Sequence, residues 1–104
     1  MYGLKKYQIE AIRAVFSKYP GIKKAILYGS RAKGNYRPAS DIDLTLTGEN
    51  LDLPTLFKIE MELDDLLLPY KIDLSVKHKI ESPELLTSIE RDGVTFYVAR
   101  EAGH

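Results

Sequence analysis

GSRAKGNYRPASDIDL, residues 29–44, is the stretch that decides how this 104-residue chain is organised. It follows a short apolar run at residues 24–28, which predicts a strand that stops at Gly29-Ser30. Residues 31–40 contain Gly, Asn, Pro and Ser and predict a loop that opens with one helical turn. Polar and apolar residues alternate from 41 to 47, which predicts a second strand.

Helices are predicted on both sides of this stretch. Apolar residues at helical spacing predict a first helix that ends at Pro20-Gly21. A second helix is predicted from Asp52 to about Leu68, and a third from the capping residue Ser82 to Gly93. The buried face of the second helix is expected to contain Leu56, Ile59, Leu63, Leu66 and Leu67.

Two more strands, at residues 71–77 and 94–98, complete the set. The resulting order, αβ(loop)βαβαβ, predicts an α/β (α+β) fold with a twisted mixed β-sheet and helices on one face. We expect residues 1–104 to form a single domain, since the length leaves little for a second one.

Alternation in the second and third strands separates an apolar face from a polar face. The polar face carries Asp41 and Asp43 on one strand and Asp73 on the other. The two aspartates on one strand lie about 6–7 Å apart, so they repel each other and raise each other's pKa unless a cation compensates. Mg²⁺, or Mn²⁺ in its place, is a hard ion that joins such carboxylates to substrate phosphates.

Each motif alone also has a simpler interpretation. An Asp-x-Asp pair suits a solvated strand, and Gly29-Ser30 suits an ordinary turn, although a glycine also lets the backbone approach a phosphate closely. Arg31, Lys33 and Arg37 either neutralise a triphosphate or form a solvated loop. Tyr36 is the aromatic residue of this loop that we would test for stacking on a base.

Composition excludes several classes of protein. Cysteine is absent, which excludes disulfides and thiolate metal sites. His78 and His104 are the two histidines, so a zinc site is not expected. No apolar run approaches the roughly 18 residues of a membrane-spanning helix, and the N-terminus does not resemble a signal peptide. We therefore expect a cytoplasmic protein without a membrane partner.

The zero net charge hides a strong asymmetry. Residues 1–40 contain nine basic residues and one acidic residue, net +8, whereas residues 41–104 contain six basic and fourteen acidic residues, net −8. This split reflects either charged helix faces or a basic entrance for a polyphosphate with an acidic surface for a partner. Halves of opposite charge also attract each other between two copies of the chain, which would favour a homo-oligomer. Nucleic-acid binding is not expected, because aromatic and basic residues do not interleave.

The combination of motifs resembles a known signature. Gly29-Ser30, ten further residues and Asp41-Ile42-Asp43 resemble the signature of the polymerase-β-like nucleotidyltransferase superfamily. The whole stretch resembles that of the minimal nucleotidyltransferase (MNT) family, and also the core of aminoglycoside nucleotidyltransferases. Ile72-Asp73-Leu74 fits the family's third carboxylate, so the resemblance covers nearly the whole chain and implies the nucleotidyltransferase fold.

The resemblance implies a role for each candidate residue. Asp41 and Asp43 would bind Mg²⁺, and Asp73 would be both a metal ligand and the general base. Gly29 and Ser30 would contact the phosphates of a nucleoside triphosphate, with Arg31 and Lys33 beside them. The implied reaction is attack of a hydroxyl on the α-phosphorus of ATP, with release of pyrophosphate.

The resemblance also implies an acceptor. MNT proteins of this size commonly pair, as antitoxins, with a HEPN-type toxin, and can transfer AMP to a tyrosine of that partner. We therefore expect a protein adenylyltransferase that acts as an antitoxin. Two alternatives stay open: a catalytically silent antitoxin that blocks its partner sterically, and a nucleotidyltransferase for a small hydroxylated molecule. Enzymes of the second kind carry an additional helical domain, for which 104 residues leave no room.

Overall fold

The computed structural model describes residues 1–100, in which four α-helices, one 3-10 helix and four strands are present. The helices are α1 (Lys6–Ser17), α2 (Ser30–Lys33), α3 (Leu53–Asp64) and α4 (Pro83–Asp92), with the 3-10 helix at Lys77–Lys79. The strands are β1 (Ile22–Tyr28), β2 (Ile42–Gly48), β3 (Ile72–Val76) and β4 (Val94–Val98). No helix in this part of the chain is both long and apolar enough to cross a bilayer.

The strands form one mixed sheet in the order β3-β2-β1-β4. β1 is antiparallel to both of its neighbours, and β2 and β3 run parallel. The predicted element order and the mixed α+β sheet are therefore confirmed. Each predicted strand is present, and β4 has the predicted bounds.

The alternation in β2 places its apolar residues in the core. Ile42, Leu44 and Leu46 are fully buried, together with Leu27 of β1. α1 contributes Ile12 and Phe16 to the same cluster, among other residues. The opposite face of β2 is thereby left for Asp43, Thr45 and Thr47.

The helices begin at the predicted caps. The side chain of Asp52 accepts a hydrogen bond from the backbone N–H of Thr55 at 3.0 Å, and Ser82 accepts one from Leu85 at 3.2 Å. Each bond satisfies a backbone donor that a helix N-terminus leaves free. These two side chains therefore fix where α3 and α4 start.

The end of α3 differs from the prediction. The helix stops at Asp64, because the next residues bond three positions back: the N–H of Leu66 donates to Leu63, and that of Leu67 donates to Asp64. Leu67 then adopts a φ of 53° and is 87% exposed. The prediction that Leu67 lies on the buried face is wrong, since the chain leaves the helical path before reaching it.

Connection handedness explains where the helices lie. α1 and α3 share the apolar side of the sheet, where Lys18 forms an ion pair with Glu62 at 2.9 Å. The chain moves outward from β2 to β3 and back across the sheet to β4. A right-handed connection on the return places α4 on the other side, so the prediction that the helices lie on one face is wrong for α4. Accordingly, a Cβ at Gly93 would lie 2.8 Å from Cγ2 of Ile26, which points away from the α1 side.

Candidate active site

A row of three polar side chains crosses the sheet on the face opposite α1. Tyr28 of β1 pairs in register with Asp43 of β2, and Asp43 pairs with Asp73 of β3. Residues at one register position on neighbouring strands point to the same face, so their side chains lie beside one another. The structure therefore brings together two of the three predicted carboxylates, with a tyrosine as third member; we call these residues the acid row.

Burial and like charges act on the central carboxylate of this row. The pKa of Asp43 is raised, first by partial burial and then by the negative charges of Asp73 and Asp41, while the positive charge of Arg31 opposes the shift. Asp41 lies just before β2 and is exposed, and Asp73 is also exposed. All three predicted aspartates thus lie close enough to interact electrostatically.

A second row of hydroxyl groups lies beside the acid row. Ser75 donates a hydrogen bond to Thr45 across β3 and β2 at 2.9 Å, and Thr45 is fully buried. Tyr28 has a raised pKa, mainly because of burial and also because of Asp43 and Asp73, while a hydrogen bond with Ser75 works in the opposite direction. Sequence reasoning had missed Tyr28 as a site residue, since only its register with Asp43 distinguishes it from the other tyrosines.

Gly29 lets the backbone pass against the acid row. Its φ is 77°, and a Cβ at this position would collide with the carboxylate of Asp43. Both observations require glycine, because a side chain is strained at this φ and has no room. Ser30 follows as the first residue of α2, so the Gly29-Ser30 turn lies directly beside Asp43.

Arg31 is a structural residue rather than a free phosphate ligand. It is only 2% exposed, and its guanidinium donates to the carbonyls of Tyr2, Pro38 and Ser40 at 2.8–3.2 Å. The guanidinium carbon also lies 4.7 Å from the ring centre of Tyr70. The prediction that Arg31 contacts the nucleotide stays a prediction, and this arrangement does not favour it, since four of the guanidinium's hydrogen bonds go to the backbone.

The remaining candidates differ in their availability. Lys33, at the end of α2, is exposed and remains a candidate for phosphate binding. Tyr36 packs against Arg31, 5.2 Å from the guanidinium carbon, so this ring face is not free for a base. His78 is exposed on the 3-10 helix, and His104 lies outside the described residues.

The predicted aspartates have the oxygen ligands that a hard cation needs, but their side chains are spaced too widely to hold one in this conformation. Among residues 1–100, no three acidic or histidine side chains already converge closely enough to hold a metal ion. Asp41, Asp43 and Asp73 nevertheless offer carboxylate oxygens, the ligands that Mg²⁺ prefers. The raised pKa of Asp43 also fits, because a cation beside it would offset the repulsion that raises it. Asp41, Asp43 and Asp73 would hold the ion once their side chains close on it.

Sequence comparison finds a family and several relatives. Residues 10–102 match the model described as "Polymerase beta, Nucleotidyltransferase". The Methanocaldococcus jannaschii protein "Putative protein adenylyltransferase MJ0604" is 51% identical over 41 residues, which are 38% of this chain and 41% of that protein. A second protein of the same organism, "Putative protein adenylyltransferase MJ0126", is 36% identical over 72 residues, 68% of this chain and 72% of its own length.

Structural comparison agrees on the fold. A crystal structure described as a toxin–antitoxin with AMP-PNP gives a TM-score of 0.70 at 20% identity, over 93% of this chain and 76% of that chain. A structure of the tri-AMPylated Shewanella oneidensis HEPN toxin in complex with MNT antitoxin gives 0.67 at 17% identity, over 92% and 74%. At these identities the likeness establishes a shared fold.

Proposed function

The chain belongs to the polymerase beta nucleotidyltransferase family, and from this premise we propose that it transfers AMP from ATP to a hydroxyl group of a protein. We propose that it does so as a single domain over residues 1–104, with Mg²⁺ held by Asp41, Asp43 and Asp73. The observation that carries the proposal is the register of Asp43 with Asp73. That register gives one sheet face the carboxylates that phosphate chemistry on a divalent ion needs.

Gly29 and Ser30 are the proposed phosphate contacts. The glycine keeps the turn clear of side-chain atoms beside Asp43, so a triphosphate can approach the backbone there. The hydroxyl of Ser30 would donate to a phosphate oxygen, a charge-assisted bond of the stronger kind. Lys33, exposed at the end of α2, would add positive charge. A bound Mg²⁺ would neutralise phosphate charge as it develops.

Asp73 is the proposed general base. It is exposed at the open end of the acid row, on the edge strand β3, where an acceptor can approach. The acceptor oxygen would attack the α-phosphorus while its proton passes to Asp73. The bond from that phosphorus to the β-phosphate oxygen would break, and pyrophosphate would leave. Positioning and charge stabilisation supply most of the catalysis in reactions of this kind.

The proposed acceptor is a tyrosine of a HEPN-type toxin, which the chain would silence as an antitoxin. The relatives named protein adenylyltransferases support a protein acceptor, and the Shewanella oneidensis complex supplies a modified HEPN toxin as precedent. The acidic second half of the chain, net −8, suits a basic partner through electrostatic complementarity.

Calorimetric titration of an ATP analogue that cannot be hydrolysed, with Mg²⁺ or Mn²⁺, tests the nucleotide site without an acceptor. We expect metal-dependent binding by the natural chain and none by Asp41→Asn with Asp43→Asn. Glu84→Gln, a change to an exposed acid on α4, is the control that should bind normally. Undiminished binding by the double variant would refute the metal role of Asp41 and Asp43.

A further inference from the structure

The outer side of α3 carries an apolar stripe that the described part of the chain leaves exposed. Leu53, Phe57 and Met61 recur every four residues and are 57%, 55% and 66% exposed. Residues at this spacing are neighbours on one side of a helix. The core side of α3 is formed instead by Ile59 and Leu63. The stripe is therefore a second apolar face of the same helix.

Leu67, three residues after the end of α3, is a further exposed apolar residue. It is exposed and has a φ of 53°, a conformation in which a Cβ crowds the backbone. A leucine at such a position bears strain and gains no burial within the described chain. Strained, exposed apolar residues are typical of binding surfaces. We call Leu53, Phe57 and Met61 the α3 surface, which Leu67 follows in the chain.

Acidic residues flank the α3 surface and restrict what can cover it. Glu60, Asp64 and Asp65 lie among the apolar residues, with Lys58 as the basic residue of the same segment. A second copy that used the same surface would bring carboxylates against carboxylates, which is repulsive. A basic surface with an apolar centre would match both the stripe and its charged surroundings.

We propose that the α3 surface docks the protein acceptor, which presents a basic surface with an apolar ridge. The inference rests on the proposed function for the identity of this partner. The stripe from Leu53 to Met61 is about 12 Å long, at 1.5 Å per residue, which is enough for two turns of a partner helix.

The path of the chain connects the α3 surface to the acid row. α3 leads through residues 65–71 directly into β3, which carries Asp73. β3 is the edge strand of the sheet, so no other strand lies between α3 and the open end of the acid row. Because α3 lies on the face opposite Asp73, a partner held on α3 would pass the β3 edge to reach Asp73.

A binding experiment with matched variants tests the inference. The probe is the proposed partner, a HEPN-type toxin, purified separately and labelled with a fluorophore. We expect Phe57→Gln with Met61→Gln to raise its Kd roughly 100-fold, as loss of two central apolar anchors does. Tyr7→Gln, a change to a similarly exposed residue of α1, should change the Kd less than about threefold. Circular dichroism and Mg²⁺-nucleotide affinity should be the same in all three proteins.

A charge variant tests the flanking acids. Asp64→Lys with Asp65→Lys should slow association at low salt, and the difference from the natural chain should shrink at about 0.5 M salt. An association rate that changes neither with the charge reversal nor with the salt concentration would contradict electrostatic matching by these residues.

The remaining outcomes separate the docking surface from the proposed function. If the double variant Phe57→Gln with Met61→Gln bound the partner as tightly as the natural chain does, the docking surface would be overturned even if transfer of AMP occurs. A complex that this variant weakens, but whose partner gains no nucleotidyl mass, would support the surface and refute the proposed catalysis. No binding by the natural chain, or self-association through the same residues, would also overturn the inference.

Discussion

Asp43 and Asp73 occupy the same register position on two neighbouring parallel strands, so two carboxylates lie side by side without a basic residue between them. The pKa of Asp43 is raised by burial and by its acidic neighbours. A carboxyl with a higher pKa in the folded chain than in the unfolded chain favours the fold while it is protonated. This contribution is complete below the unfolded-state pKa and is lost as the pH rises through the folded-state pKa. The metal-free protein should therefore be less stable at neutral pH because of this pair.

The first prediction is that Asp43→Asn stabilises the metal-free chain at pH 7 by up to about 1 kcal/mol, given that Asp43 is half exposed. Thermal unfolding in a chelator should show a Tm raised by a few degrees. The gain should shrink as the pH falls toward the ordinary pKa of 3.8. A lower Tm for Asp43→Asn at pH 7, with Glu90→Gln unchanged as the control, would contradict this account.

The second prediction concerns Arg31, which ties the loop before β2 to the N-terminal segment. Arg31→Lys should destabilise the chain by about 2–4 kcal/mol, because one ammonium cannot replace a guanidinium that bonds three carbonyls and stacks on Tyr70. Chemical denaturation gives the free energy of unfolding. Lys33→Ala, two residues along and exposed, should stay within about 0.5 kcal/mol. Equal stability of both variants would refute the tying role.

Arg31 also shows which part of the site sequence alone can predict. The spacing of Gly29, Asp41 and Asp43 identified the carboxylates and the turn, because strand alternation fixes which residues share a face. A basic residue in a polar loop, however, looks the same whether it is solvated or buried. Only the folded loop, which brings the carbonyls of Pro38 and Ser40 around the guanidinium, distinguishes the two.

The fold was predictable to the same extent and for similar reasons. Capping by Asp52 and Ser82 and the alternation of β2 are local signals, and they placed the elements correctly. The end of α3 depends on a local competition between α-helical and tighter turns, which apolar spacing does not report, so Leu67 was misplaced. The side on which α4 lies follows from strand order, which the sequence does not state.

The third prediction concerns the Gly29-Ser30 turn. Ser30→Ala should weaken Mg²⁺-ATP binding by about 1–2 kcal/mol, or roughly 5–30-fold, through loss of one hydrogen bond to a charged oxygen. Gly29→Ala should also destabilise the fold by about 1–3 kcal/mol, because the new Cβ collides with Asp43 at a strained φ. Calorimetry and denaturation measure the two effects. Ser17→Ala, on α1, is the control. If Ser30→Ala bound Mg²⁺-ATP as tightly as Ser17→Ala does, the turn would be purely structural.

The fourth prediction concerns the hydroxyl row beneath the acid row. Ser75→Ala removes the partner of the buried Thr45 hydroxyl and should destabilise the chain by about 1–2 kcal/mol. The same change removes the Ser75 hydroxyl, which lowers the pKa of Tyr28, so that pKa should rise further. Denaturation and ultraviolet titration of tyrosine measure the two effects. Full stability together with an unchanged titration would show that this network does not support the site.

The proposed transfer of AMP is tested by incubating the chain with Mg²⁺, [α-³²P]ATP and a separately purified HEPN-type toxin. We expect the natural chain to add one or more AMP groups to tyrosine hydroxyls of the partner and to release unlabelled pyrophosphate. Asp73→Asn should transfer almost none, while Glu90→Gln, an exposed change on α4, transfers normally. Intact mass identifies the added group. Equal labelling by Asp73→Asn and the natural chain, or a stable complex whose partner stays unmodified, would contradict the account.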